Sequence, residues 1–155
     1  MFYIECPERR TDLKNFETLF LAGGITDCRD WQADLAKRLK YTSLALLNPR
    51  RKQFDINDLS MMEEQIVWEY DHLAKADAIS FWFERDVIQP IALFELGRWS
   101  AADKPIFVGC DPDYPRINDV LIQMNLIRPG FHVVNTLDAL ADKITHHFYG
   151  EAHVI

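Results

Sequence analysis

Residues 68–99, WEYDHLAKADAISFWFERDVIQPIALFELGRW, decide how the whole chain is read. The first part closes a helix. AISFWF (78–83) is an unbroken apolar run of strand length, and Pro90 opens a second helix, where its missing N–H and fixed φ suit the first turn. Two acids stand out. Glu69 belongs to the first helix, and Glu95 sits early in the second among Ile91, Ala92, Leu93, Phe94 and Leu96, company in which an idle charge is costly. Glu95 reads either as a nucleophilic carboxylate in a small-molecule site or as the wet side of an amphipathic helix.

Upstream, TLFLA (18–22) is a short apolar run ended by Gly23–Gly24, a buried strand and a tight turn. Thr26 and Asp27 are N-cap candidates for a helix over 31–40, where Trp31, Leu35 and Leu39 have helical spacing. SLALL (43–47) is a second strand, stopped by Asn48–Pro49, and a polar loop then leads to a helix over 59–75. Downstream come a strand at 105–109, the loop DPDYPRIND (111–119), a helix at 120–127, a strand at 131–134 and a last helix at 137–148. Residues 1–16, polar and interrupted by Pro7, form an irregular arm or an edge strand. Five apolar strands alternating with helices imply a mainly parallel sheet covered on both faces. The expected fold is an α/β flavodoxin-like three-layer sandwich, strand order 2-1-3-4-5, in one domain over 1–155. In such sheets ligands bind beyond the carboxyl ends of the strands, at the switch point between the first and third.

Composition narrows the partners. Of 155 residues, 48% are hydrophobic and 26% charged, as in soluble globular chains. The net charge of −7 argues against polymeric nucleic acid, leaving a monomer such as a nucleoside as the nucleic-acid-like partner. No run approaches the ~18 apolar residues of a membrane span, and the N-terminus lacks a signal-peptide core, so a cytoplasmic address is expected. Cys6, Cys28 and Cys110 are scattered without a CxxC, and no HExxH occurs; neither a metal site nor a cofactor is expected. Arg9–Arg10 and Arg50–Arg51–Lys52 read as solvated surface.

LAGGIT is neither GxGxxG nor a phosphate loop. Gly23 and Gly24 either let backbone approach a ring-shaped ligand or simply make a turn. No cation follows at once, which favours an uncharged sugar over a phosphate there. Paired acids around one carbon suit glycosyl transfer, one attacking and the other handling the leaving group's proton. Near a helix start, Glu95 is the better ionised nucleophile; Glu69 or Asp71 is the second acid or ordinary helix surface. Trp31 either stacks on a base or packs in the core.

The blocks LAGGIT, Glu69…AKADAISFWF, PIALFELGRW, KPIFVG and DPDYPRIN, in that order, resemble the nucleoside 2-deoxyribosyltransferase family, in its divergent transferase-like branch. The resemblance spans roughly residues 18–119. It implies that Glu95, in Glu95-Leu96-Gly97, is the nucleophile. Glu69, 26 residues earlier, stands where the family has its second catalytic acid, with Asp71 as the alternative. It also implies that Asn118 is lent to a neighbouring subunit's site, hence a homo-oligomer. The reaction implied is double displacement: Glu95 attacks C1′ of a 2′-deoxynucleoside, the base leaves, and another base takes the sugar. Gln89 stands where some relatives carry an acid against the base, and keeps only hydrogen bonding to a base edge. The glycines usual ahead of the nucleophile are replaced by residues 91–94.

Three other readings stay open: hydrolysis of a nucleoside or nucleotide, a non-catalytic nucleoside or nucleotide sensor, and a flavin or phospho-acceptor protein. The last lacks a phosphate-holding loop after the first strand. The C-terminal FYGEAHVI, with Phe148 and Tyr149, reads as an aromatic tail past the last helix that docks on a partner subunit.

Overall fold

Alternation along the strands sets the layers. Leu19 and Leu21 point to one face of the sheet, while Phe20 and Ala22 point to the other, as a period of two requires. The computed structural model describes residues 1–150. Its strands are β1 (Phe2–Glu5), β2 (Thr18–Gly23), β3 (Ala45–Asn48), β4 (Ala78–Phe83) and β5 (Ile106–Cys110). Its helices are α1 (Trp31–Arg38), α2 (Leu59–Lys75), α3 (Pro90–Ser100), α4 (Ile117–Ile127) and α5 (Leu137–Tyr149). All pairings are parallel, in the order β1-β3-β2-β4-β5.

One face carries Leu19, Leu21, Leu46 and Trp82 under α1 and α5, through Trp31, Leu35, Leu39, Leu140 and Ile144. The opposite face carries Phe20, Ala22, Phe81, Phe83 and Val108 under α2, α3 and α4, through Trp68, Leu73, Ala92, Leu96, Val120 and Met124. Strands buried on both faces explain why the apolar runs show no alternation in the sequence. No helix among the described residues is long and apolar enough to cross a membrane.

The fold class agrees with the expectation; the sheet's two edges differ. Its middle, β3-β2-β4-β5, is the expected order of the first four strands. The expected fifth strand, 131–134, contributes only an isolated bridge between Gly109 and Val134. Only Val134 of those four residues is buried, so little holds the segment to the sheet. The fifth strand is instead β1, within the segment read as an arm or edge strand. Its register, Phe2 opposite Ala45 to Glu5 opposite Asn48, is anchored by buried Ile4.

Helix ends place the residues that matter below. Asp58 caps α2, its carboxylate accepting from the N–H groups of Ser60 and Met61, an arrangement worth about 1 kcal/mol. At the other end Lys104 Nζ donates to the carbonyls of Leu73, Ala74 and Ala76. The cap of α1 is Asp30, accepting from Ala33 N–H, rather than Thr26 or Asp27. Helix α4 starts at Ile117, so Asn118 lies in its first turn rather than in a loop. Phe148 and Tyr149 lie within α5 and pack against this chain's own core, with Ser43 N–H donating to Tyr149 Oη at 2.8 Å. The remainder of the expected docking tail, 151–155, lies outside the described residues.

Candidate active site

Beyond the carboxyl ends of β2, β3 and β4 lies a cleft of about 430 Å³, a volume ordinary for small-molecule sites. The β2–α1 loop supplies Gly23 to Asp27, and the β3–α2 loop supplies Pro49, Arg51 and Phe54. Gln65 and Glu69 come from α2, Val87 to Gln89 from the loop after β4, and Ile91, Ala92 and Glu95 from α3. The cleft therefore sits at the switch point, where the chain leaves β2 toward β3 and later returns to β2's other side.

Helical spacing brings the two acids to it. Glu95 follows Ile91 and Ala92 by four and three residues, which puts all three on one face of α3. Glu69 follows Gln65 by four, and Gln65 Nε2 donates to its carboxylate at 2.7 Å. The same amide nitrogen donates to Pro49 O, and the amide oxygen accepts from Cys6 Sγ. Asp71, two residues past Glu69, points round the helix and instead pairs with Arg9 at 2.8 Å, away from the cleft.

Both cleft acids hold their protons unusually tightly. Burial raises Glu69, opposed only by the hydrogen bond from Gln65. Burial and then the nearby charge of Glu69 push Glu95 from 4.5 up to about 8, against a small opposing pull from Arg98. That guanidinium lies 4.8 Å from the ring centroids of both Tyr70 and Trp99. Burial therefore works against the ionised Glu95 that its place near a helix start leads one to expect. The residue is past the first turn of α3, where the helix end's field has faded, and desolvation wins. Between them the two acids carry a proton at neutral pH, the condition for one to attack and the other to donate.

The glycine turn is built for close packing within the protein. A Cβ on Gly23 would lie 2.6 Å from the Trp31 ring, and one on Gly24 would lie 2.8 Å from the Gln89 side chain. Trp31 is fully buried in the α1 layer, outside the cleft lining, with Nε1 donating to Gly24 O at 3.1 Å. It is a core residue rather than a stacking platform. Gln89 borders the cleft but is committed internally: its oxygen accepts from Gly24 N–H at 2.8 Å and its nitrogen donates to Glu84 O and Val87 O. Its hydrogen-bonding groups brace the glycine turn rather than wait for a base edge. Asn118 is exposed on α4 and is not part of this chain's cleft.

The sequence reading missed the arginines after β3. Arg50 is largely buried and donates to the carbonyls of Gly24, Ile25, Cys28 and Arg29 and to Gln32 Oε1, clamping the loop that forms one wall. Arg51 lines the cleft itself, with only 10% of its side chain exposed. A basic run after a strand looks like surface; only the fold brings a ring of outward-facing carbonyls around it. Among the described residues no group of three His, Cys, Asp or Glu side chains is arranged to hold a metal ion.

A model of the family described as nucleoside 2-deoxyribosyltransferase like matches residues 17–114. The chain belongs to that family. The matched residues run from the start of β2 to the loop after β5, and so include every element around the cleft. In this nucleoside 2-deoxyribosyltransferase-like chain the glycine turn, Glu69, Gln89 and Glu95 all fall inside the match, whereas Asn118 lies beyond it. A search of curated proteins returned no match.

Proposed function

We propose that this chain cleaves the N-glycosidic bond of a 2′-deoxynucleoside and transfers the sugar to another base through a glutamyl-deoxyribosyl ester on Glu95. The observation that carries the reading is the pair of proton-retaining carboxyls, from α2 and α3, lining one cleft at the switch point of the sheet. Family membership supports the same chemistry.

The reaction needs the carboxylate on Glu95 and the proton on Glu69. Glu95 therefore gives up the proton it holds and Glu69 takes one up as the substrate is seated, because the positive charge developing at C1′ favours an anion beside it. The Glu95 oxygen forms a bond to C1′ as the bond from C1′ to the base breaks. The leaving base takes the proton from Glu69, which becomes the carboxylate. An incoming base then gives its proton to Glu69 and attacks C1′, releasing Glu95. The absent 2′-hydroxyl removes an inductive brake on the cation-like transition state, and the covalent intermediate divides one difficult step into two. Gln65 holds Glu69 in position.

Asn118, exposed at the start of α4 beside Leu121 and Ile122, is proposed to complete the cleft of a neighbouring copy in a homo-oligomer. The test of the central step is intact mass after mixing with deoxynucleosides. A deoxyribosyl adduct should appear on the wild type and be missing from Glu95→Ala, which should stay folded by circular dichroism. Exchange of bases by chromatography marks transfer, and free base alone marks hydrolysis. Turnover retained in Glu95→Ala would refute the assignment.

A further inference from the structure

We propose that Arg51 makes this cleft a reader of phosphate monoesters, so that the preferred glycoside carries a phosphate on its sugar. The inference rests on the reading of the cleft as an N-glycoside site and specifies the class of glycoside. The contrast between two adjacent arginines motivates it. Arg50 directs its donors into five neighbouring oxygens. Arg51 is nine-tenths buried and borders the cleft, yet its Nε and Nη1 are buried without a hydrogen-bond acceptor. Its Nη1 lies 3.0 Å from Glu64 Oε2, close enough for an ion pair but not aligned for a hydrogen bond, and the Glu64 side chain is half exposed to competing water.

A guanidinium removed from water with idle donors is destabilising unless a partner arrives. Neither cleft acid is that partner: what steadies the anion of Glu69 is Gln65, and what steadies that of Glu95 is Arg98. Glu64 balances part of the charge of Arg51 from the half-exposed side, but the buried Nε and Nη1 donors are left for a ligand. Its planar fork of N–H groups suits two oxygens of one anion, and phosphate is the anion that the sugar of such a glycoside bears. The cation comes from the loop after β3, whereas the sequence directs the search for a phosphate cradle to the loop after β2.

Calorimetric titration of the wild type with 2-deoxyribose and with 2-deoxyribose 5-phosphate tests the proposal without requiring turnover. The same comparison is then made for a deoxynucleoside and its 5′-monophosphate, with inorganic phosphate as a further probe. The phosphorylated form should bind about tenfold tighter or more, the worth of one or two charge-assisted hydrogen bonds. Arg51→Gln should erase the difference while leaving the unphosphorylated ligand within about twofold, and Arg51→Lys, charged but without the fork, should keep part of it. Equal binding of the two forms by the wild type, binding of neither, or a preference that survives Arg51→Gln would overturn the proposal. A phosphate preference without any base release would sink the transferase reading and leave this one standing. Base release with no phosphate preference would do the reverse.

Discussion

Raising the pH should destabilise this protein through Glu95, and replacing that residue by glutamine should abolish most of the effect. The native cleft holds a proton on Glu95 up to about pH 8, whereas the unfolded chain releases it near the ordinary 4.5. Stability from this group is therefore complete below about pH 4.5 and is lost as pH climbs to about 8, after which both states are ionised. A gap of about three and a half decades in proton affinity, at about 1.4 kcal/mol each, sets an upper value of about 5 kcal/mol. Water drawn in around the new charge lowers this, so a fall of about 2–5 kcal/mol is expected. Urea denaturation followed by tryptophan fluorescence, from about pH 4.5 to about pH 8.5, measures it directly. Glu95→Gln keeps the shape without the titration, and its stability advantage over wild type should grow with pH across that window. A shallower slope should remain from Glu69. Parallel curves for the two proteins would refute the claim that Glu95 is desolvated beside a second acid.

Three further expectations concern the cleft's walls and the residue proposed to reach a neighbour's cleft. Arg50→Met leaves several carbonyls of the β2–α1 loop without their cation and should cost about 2–4 kcal/mol in chemical denaturation; a change below about 0.5 kcal/mol would show that the clamp is idle. Gly24→Ala forces the Gln89 side chain aside and should lose about 1–3 kcal/mol, with impaired ligand binding as the brace breaks; unaltered stability would mean the turn relaxes freely. Asn118→Ala should raise KM with no effect on thermal unfolding, and mixing it with Glu95→Ala should restore some activity through hybrid oligomers. Kinetics equal to wild type would remove Asn118 from any neighbour's site.

Much of the architecture was legible because burial writes directly into the sequence. Four strands, 18–22, 43–47, 78–83 and 105–109, are apolar almost throughout, and each lies between two helical layers. The edges were not legible for the same reason. Phe2–Glu5 is a short strand with one fully buried residue, and residues 131–134 have β-branched character but little to pack on. At the cleft, Glu69 and Glu95 announced themselves by spacing and by apolar company. Trp31, Gln89 and the two arginines did not, because their roles are set by partners distant in the chain. Gln89 meets Gly24 N–H across 65 positions, and Arg50 meets Ile25 O across 25. The raised proton affinity of Glu95 is not legible in sequence, because the pull of a helix start is visible there, whereas the depth of the surrounding cleft is not.

The thiol of Cys6, just past β1, donates to Gln65, and the amide of Gln65 holds Glu69. The amino-terminal segment therefore underpins a cleft acid although none of its residues borders the cleft. Trimming the first seven residues, or crowding them with a fused tag, would loosen one of the two acids from a distance. An inactive preparation made that way would say nothing about the chemistry of the intact chain.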